Sequence, residues 1–206
     1  MSLKPQKIGV FGGAFDPPHN AHVALAHTAL AELELDGLYV IPTGQAWHKA
    51  RSLSPAEHRL AMTRLAFENM PRVVVDDREI KRLGPTFTID TLEALQAENP
   101  GAQFYLLMGA DQFAAFKQWH QWREILSIAI ICVAGRERFE WVEGQFDAKN
   151  APENGFVTIS MPPMAVSATQ IRQLIAGGLG ENQAIADLLP HPVARYIATH
   201  QLYKTS

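Results

Sequence analysis

Apolar residues recur along this chain in short runs that alternate with longer segments of helical spacing. Ile8, Val10 and Phe11 form a first run that stops at Gly12 and Gly13; Pro17 and Pro18 follow, and an Ala-, Leu- and His-rich segment then covers 20–35. That order predicts strand, loop and helix. The unit recurs: 37–42 reads as a strand, 54–69 as a helix with Pro55 at its first position, and 73–75 as another strand. Further on, 88–97 reads as a helix closed by Asn99, Pro100 and Gly101, and 104–107 as a strand. The stretch from Asp111 reads as helical, and 128–133 as a buried strand.

A break rich in charged and small residues covers 134–155 and reads as a surface excursion. Beyond it come a strand at 156–159 and helical patterns around 167–176 and 190–200. Strands alternating with helices imply an α/β fold: a Rossmann-like, doubly wound parallel sheet of about five to six strands with helices on both faces. The expectation is one domain over 1–206, its C-terminal helical part (about 165–206) packed on the sheet. Internal repeats, heptads and low-complexity tracts are absent from the sequence.

Composition narrows the class. Of 206 residues, 47% are hydrophobic and 19% charged, the balance of a folding globular chain. Lys and Arg total 18 against 21 Asp and Glu, a net charge of −3. This offers no general attraction to nucleic acid or anionic membranes, so any phosphate site must be local. The single cysteine, Cys132, lies in an apolar run and has no internal partner, which suits a reduced, cytoplasmic compartment. No apolar stretch resembles a signal peptide or a membrane span.

The most informative segment runs from Gly12 to His22 (GGAFDPPHNAH), directly after the first strand and opening the first helix. In doubly wound sheets that position is the ligand crevice. Glycines admit phosphate oxygens to backbone amides, a helix N-terminus adds donors, and His19 and His22, three residues apart, share a helical face. The bland alternative is a tight turn, a proline-started helix and two ordinary histidines. Neither a G-x-G-x-x-G fingerprint nor a Walker motif is present, and H-x-x-H lacks the i, i+4 spacing of helical zinc sites. A second segment, Ser167-Ala168-Thr169-Gln170-Ile171-Arg172, opens a helix with hydroxyls, amides and a guanidinium. Taken alone, Ser167 is an N-cap and Arg172 a solvated charge. Taken with the first segment, the two suit opposite ends of a triphosphate.

These two strings resemble the paired signatures of the nucleotidyltransferase superfamily. PTFTIDT (85–91), MGADQ (108–112) and FKQW (116–119) extend the similarity along the chain, to the bacterial nicotinate-nucleotide adenylyltransferase family. The resemblance implies an enzyme that moves the adenylyl group of ATP onto nicotinate mononucleotide, yielding nicotinate adenine dinucleotide and pyrophosphate in NAD biosynthesis. Mg²⁺ is expected to arrive with ATP and to need no dedicated protein ligand. By the same resemblance His19, His22 and Arg172 are catalytic, and Gly12, Gly13, Phe15, Lys49, Ser167, Thr169 and Arg136 bind ATP or its phosphates. Thr88 takes the acceptor's carboxylate, Trp119 stacks on its ring, Asp111 lies near its ribose, and Gly109 also binds the acceptor. Read without the family, Trp119 and Trp122 are packing residues, Thr86, Thr88 and Thr91 are cap or strand hydroxyls, and Asp111, Lys49 and Arg136 are solvated charges.

The chain departs from the family pattern in three places. Ala168 stands where many relatives have serine, Trp47 precedes His48-Lys49 where proline is frequent, and Gly135-Arg136-Glu137 is not followed by Pro-Gly. Three rival functions remain from the sequence. One is a transferase acting on nicotinamide mononucleotide, phosphopantetheine or a sugar or alcohol phosphate; the second is a non-catalytic ATP or NAD sensor; the third is a metal-dependent hydrolase using Asp16, His19 and His22.

Overall fold

The computed structural model describes residues 4–44, 53–135, 155–162, 164–179, 185 and 187–204. Six strands appear among them: β1 (Lys7–Gly13), β2 (Gly37–Pro42), β3 (Val73–Val75), β4 (Gln103–Gly109), β5 (Ala129–Gly135) and β6 (Phe156–Ser160). The helices are α1 (Asn20–Glu32), α2 (Ala56–Phe67), α3 (Arg78–Lys81), α4 (Thr88–Glu98), α5 (Ala110–Ala114), α6 (Trp122–Ile128), α7 (Ala168–Leu174) and α8 (His191–Thr199). The sheet order is β3-β2-β1-β4-β5-β6, the doubly wound Rossmann order, with its reversal between β1 and β4. The pairs β1 with β4, β4 with β5 and β5 with β6 are parallel. The α/β expectation from the sequence therefore holds, at the upper end of the expected strand number.

Inner strands are apolar on both faces because helices cover a parallel sheet. In β4 the five residues from Phe104 to Met108 are all buried, and in β5 Ile131, Cys132 and Val133 are. Cys132 is thus a packed thiol, its pKa pushed up to about 12 by burial.

Element ends differ from the sequence reading for backbone reasons. The first helix stops at Glu32 rather than 35, and Glu34 takes the left-handed φ of 53°. Pro55 precedes α2 as its N-cap, with extended ψ of 140°, instead of occupying the first helical position. The helical stretch from Asp111 is broken into α5, a 3₁₀ turn at Phe116–Gln118 and α6, with Gln121 left-handed at φ 51° before α6.

The chain divides into two compact units. One comprises Met1–Gly12, Leu25–Tyr39 and Thr86–Pro163; the other Gly13–Ala24, Val40–Pro85 and Met164–Ser206. In the first, α4 packs on α6, with Ile89, Leu92, Leu95 and Ile125 buried. In the second, α8 packs on α2 and His58 Nδ1 meets the Tyr196 hydroxyl at 3.0 Å. Among the described residues no helix is long and apolar enough to cross a membrane.

Candidate active site

In the second unit, the segment after β1 folds back on itself. Phe15 is buried at φ 45°, its ring edge-on to His22 (5.1 Å) and to Phe67 (6.4 Å). A Cβ on Gly13 would lie 3.0 Å from that ring, so glycine there is what lets Phe15 tuck under the loop. His19 and His22 stack at 3.7 Å with 23° between the rings, and the His19 amide donates to His22 Nδ1 at 3.1 Å. With Nδ1 accepting, the His22 proton sits on Nε2, which is left as a donor. His19 is 8% exposed, and burial lowers its pKa to about 4, so the ring is neutral at pH 7. Its Nδ1 is buried with no hydrogen-bond partner, an open demand of the kind a ligand oxygen or water meets.

The distant second segment belongs to the same unit and reaches this loop. Arg172 donates from Nη1 to the main-chain oxygen of Asp16 at 2.7 Å and from Nη2 to Thr169 Oγ1 at 3.0 Å. Ser167 is the N-cap of α7, its Oγ accepting from the Gln170 amide at 3.2 Å. The N-cap reading of Ser167 is therefore seen, and Arg172 reaches the loop after β1 rather than standing as a solvated charge. Asp16 is 1% exposed; its carboxylate accepts from the Ser54 amide (3.1 Å) and the Tyr203 hydroxyl (2.7 Å). Burial, and then the Asp16 charge, push the Tyr203 pKa up, so the hydroxyl stays protonated and donates. Asn20, at the start of α1, holds the main-chain oxygens of Asp187 and Leu188.

The first unit carries the residues expected to meet the acceptor. Thr88 opens α4, whose N-cap Phe87 offers no side-chain capping bond, and the neighbouring Thr86 Oγ1 is buried without a partner. Gly109 precedes α5; a Cβ there would sit 2.7 Å from Asp111 Oδ1. Asp111 is exposed and takes a 3.2 Å bond from Gln112 Nε2. Trp119 is half-buried and leans on the wholly buried Phe116 at 5.5 Å, whereas the Trp122 ring is covered by the Arg123 guanidinium at 4.3 Å. His120 stacks against Phe87 at 4.3 Å.

Lys49 and Arg136 lie outside the described residues, as does most of the 134–155 excursion. Sequence reasoning passed over Asp16 as a structural hub, Tyr203, His120 and the buried Arg59. For Arg59 a signal existed: residues 59, 62, 63, 66 and 67 share one face of α2, and all are buried. Among the described residues no group of three or more His, Cys, Asp or Glu side chains forms a metal cluster.

Comparison with known proteins assigns the class first. A family model described as cytidylyltransferase-like matches residues 10–174, and the chain belongs to that family of nucleotidyltransferases. Within it, the chain belongs with the nicotinate-nucleotide adenylyltransferases. A probable enzyme of that name from Albidiferax ferrireducens is 53% identical over 201 residues, spanning 98% of this chain and all of the relative. Another, from Methylibium petroleiphilum, is 40% identical, spanning 98% and 95%. The fold is also that of Plasmodium falciparum nicotinic acid mononucleotide adenylyltransferase complexed with NaAD: TM-score 0.76, 21% identity, 96% of this chain and 97% of that one.

Proposed function

We propose that this enzyme joins the phosphate of nicotinate mononucleotide to the α-phosphorus of ATP, releasing pyrophosphate and forming nicotinate adenine dinucleotide for NAD synthesis. The observation that carries the site reading is the bond from Arg172 to Asp16, which ties the second motif to the loop of the first.

The acceptor's monoester phosphate has a second pKa of about 6 and is largely a dianion at neutral pH, so no general base is needed. Its oxygen forms the new bond to the α-phosphorus as the bond to pyrophosphate breaks, with no covalent enzyme intermediate. The protein's work is alignment and neutralisation of charge on the phosphoryl oxygens. His22, with Nδ1 filled, presents Nε2–H to the transferring phosphate, and His19 stands beside it as a neutral ring. Arg172, Thr169 and Ser167, with Lys49 and Arg136, take the triphosphate; Gly12, Gly13 and Phe15 shape the loop that admits it. Mg²⁺ enters as part of the ATP substrate, held by phosphate oxygens and water.

On the acceptor side, Thr88 and the first amides of α4 meet the nicotinate carboxylate, Trp119 stacks on the pyridine ring, and Asp111 beside Gly109 meets the ribose. The family match at 10–174 runs through segments of both units and supports one functional nucleotidyltransferase domain, residues from about 165 forming its helical C-terminal part. The cytoplasm is the proposed compartment, on the strength of the lone thiol. The test is pyrophosphate release with ATP and Mg²⁺, comparing nicotinate mononucleotide, nicotinamide mononucleotide, phosphopantetheine and no acceptor. Strong release with the nicotinate compound alone is expected. Equal rates with nicotinamide mononucleotide would make the enzyme dual-specific, and no release with any acceptor would overturn the reading.

A further inference from the structure

Arg59 of α2 is 2% exposed, a permanent cation taken out of water. Such a group persists only when its donors are matched by acceptors. Four of its bonds go to main-chain carbonyls: Nε to Ser54 (3.0 Å), Nη1 to Ala14 (3.1 Å) and to Thr43 (2.7 Å), and Nη2 to Gly44 (3.3 Å). Its own carbonyl accepts from Thr63 Oγ1 at 2.7 Å, a back-bond within α2. The fork therefore spans the loop after β1, the loop after β2 and the entrance to α2.

The loop after β1 is held from both sides. The Thr43 amide donates to Gly13 O (2.8 Å), Arg59 to Ala14 O, and Arg172 to Asp16 O. A trans peptide carries its N–H opposite its C=O. Turning the carbonyls of Gly13 and Ala14 toward Thr43 and Arg59 thus turns the following amides the other way.

We propose that Arg59 is a positioning residue for adenylyl transfer: it holds Ala14 O directly and Thr43, whose amide holds Gly13 O, so that the peptide units after Gly13 and Ala14 turn their amides toward the phosphates of ATP. This rests on reading residues 12–22 as the triphosphate loop. Arginine is required because its planar donors point in fixed, divergent directions, whereas lysine keeps the charge but radiates its three N–H groups from a single atom.

The test compares Arg59→Lys and Arg59→Met with the wild-type enzyme and with His22→Ala, below the melting temperature of each. The Lys variant is expected to stay folded by circular dichroism. Its kcat should fall at least about tenfold and its KM for ATP rise, with KM for nicotinate mononucleotide within about twofold, since misplacement by about 1 Å can cost about a hundredfold. Met should be worse than Lys. His22→Ala should lose at least roughly a hundredfold in kcat. A folded Arg59→Lys with wild-type kcat and ATP KM overturns the proposal. So does failure of both variants to fold, which would assign Arg59 to the fold alone. If Arg59→Lys is unaffected while His22→Ala is crippled, only this inference falls. A fully active His22→Ala would remove the loop reading and this inference with it.

Discussion

Arg172 and Asp16 lie 156 residues apart in sequence, yet the guanidinium of one donates to the main-chain oxygen of the other at 2.7 Å. The contact ties a charged side chain to the loop after β1 through a main-chain carbonyl. A cation held in place beside that loop suits a site that must stabilise a leaving pyrophosphate.

Replacing Arg172 with Lys keeps the charge but cannot bridge Asp16 O and Thr169 Oγ1 together. Steady-state pyrophosphate release should show kcat down at least about tenfold for Lys and about a hundredfold for Ala. The melting temperature should change little, since Arg172 is half-buried. A folded Ala variant with unchanged turnover would remove Arg172 from the site.

His19 links stability to pH. Its folded pKa of about 4 lies below the unfolded value of 6.5. Between those values the unfolded chain binds more protons, so stability rises with pH across the window. The contribution is complete above 6.5, starts to be lost as pH falls below it, and is gone once pH has passed below the folded pKa. The slope should approach about 1.4 kcal/mol per pH unit within the window. Urea midpoints at several pH values would show this in the wild type and a flatter profile in His19→Asn; identical profiles would refute the assignment.

Gly109→Ala should act through its neighbour. The backbone there, φ −78° and ψ 164°, tolerates alanine, but the new Cβ would press on Asp111 Oδ1. KM for nicotinate mononucleotide should rise, with KM for ATP nearly constant. Combining Gly109→Ala with Asp111→Ala should add little to Asp111→Ala alone, because both act through one carboxylate. Additive losses in the double variant would argue that Gly109 works independently.

Of the four tryptophans, Trp119 and Trp122 should separate by fluorescence in a background where Trp47 and Trp141 are replaced by Phe. Trp119 rests on Phe116, while the Trp122 ring is capped by Arg123. Nicotinate mononucleotide should change the emission of Trp122→Phe, which keeps Trp119, and leave that of Trp119→Phe nearly unchanged. The reverse pattern would move the acceptor ring to Trp122.

Much of this molecule was legible in one dimension. The alternation of short apolar runs with helical segments specified a doubly wound sheet, because strand and helix periodicity are local consequences of backbone geometry. The two strings proposed to face phosphate were visible for a similar reason: a glycine pair closing a strand and a hydroxyl opening a helix state their backbone requirements within a few residues. Short-range interruptions were less legible, as at Gln121, where a left-handed residue precedes α6 without any glycine to announce it.

What tertiary structure alone decided is where each polar group points. The tautomer of His22 follows from the direction of one amide, the placement of Arg172 from the position of a carbonyl far away in sequence, and the burial of Arg59 from carbonyls on two separate loops. Tyr203, near the end of the chain, finds Asp16 near its beginning. Hydrogen bonds are directional over about 3 Å, and a linear pattern of residue types carries no information about direction. The class of chemistry was therefore written in the sequence, and the orientation of the groups proposed to perform it only in the fold.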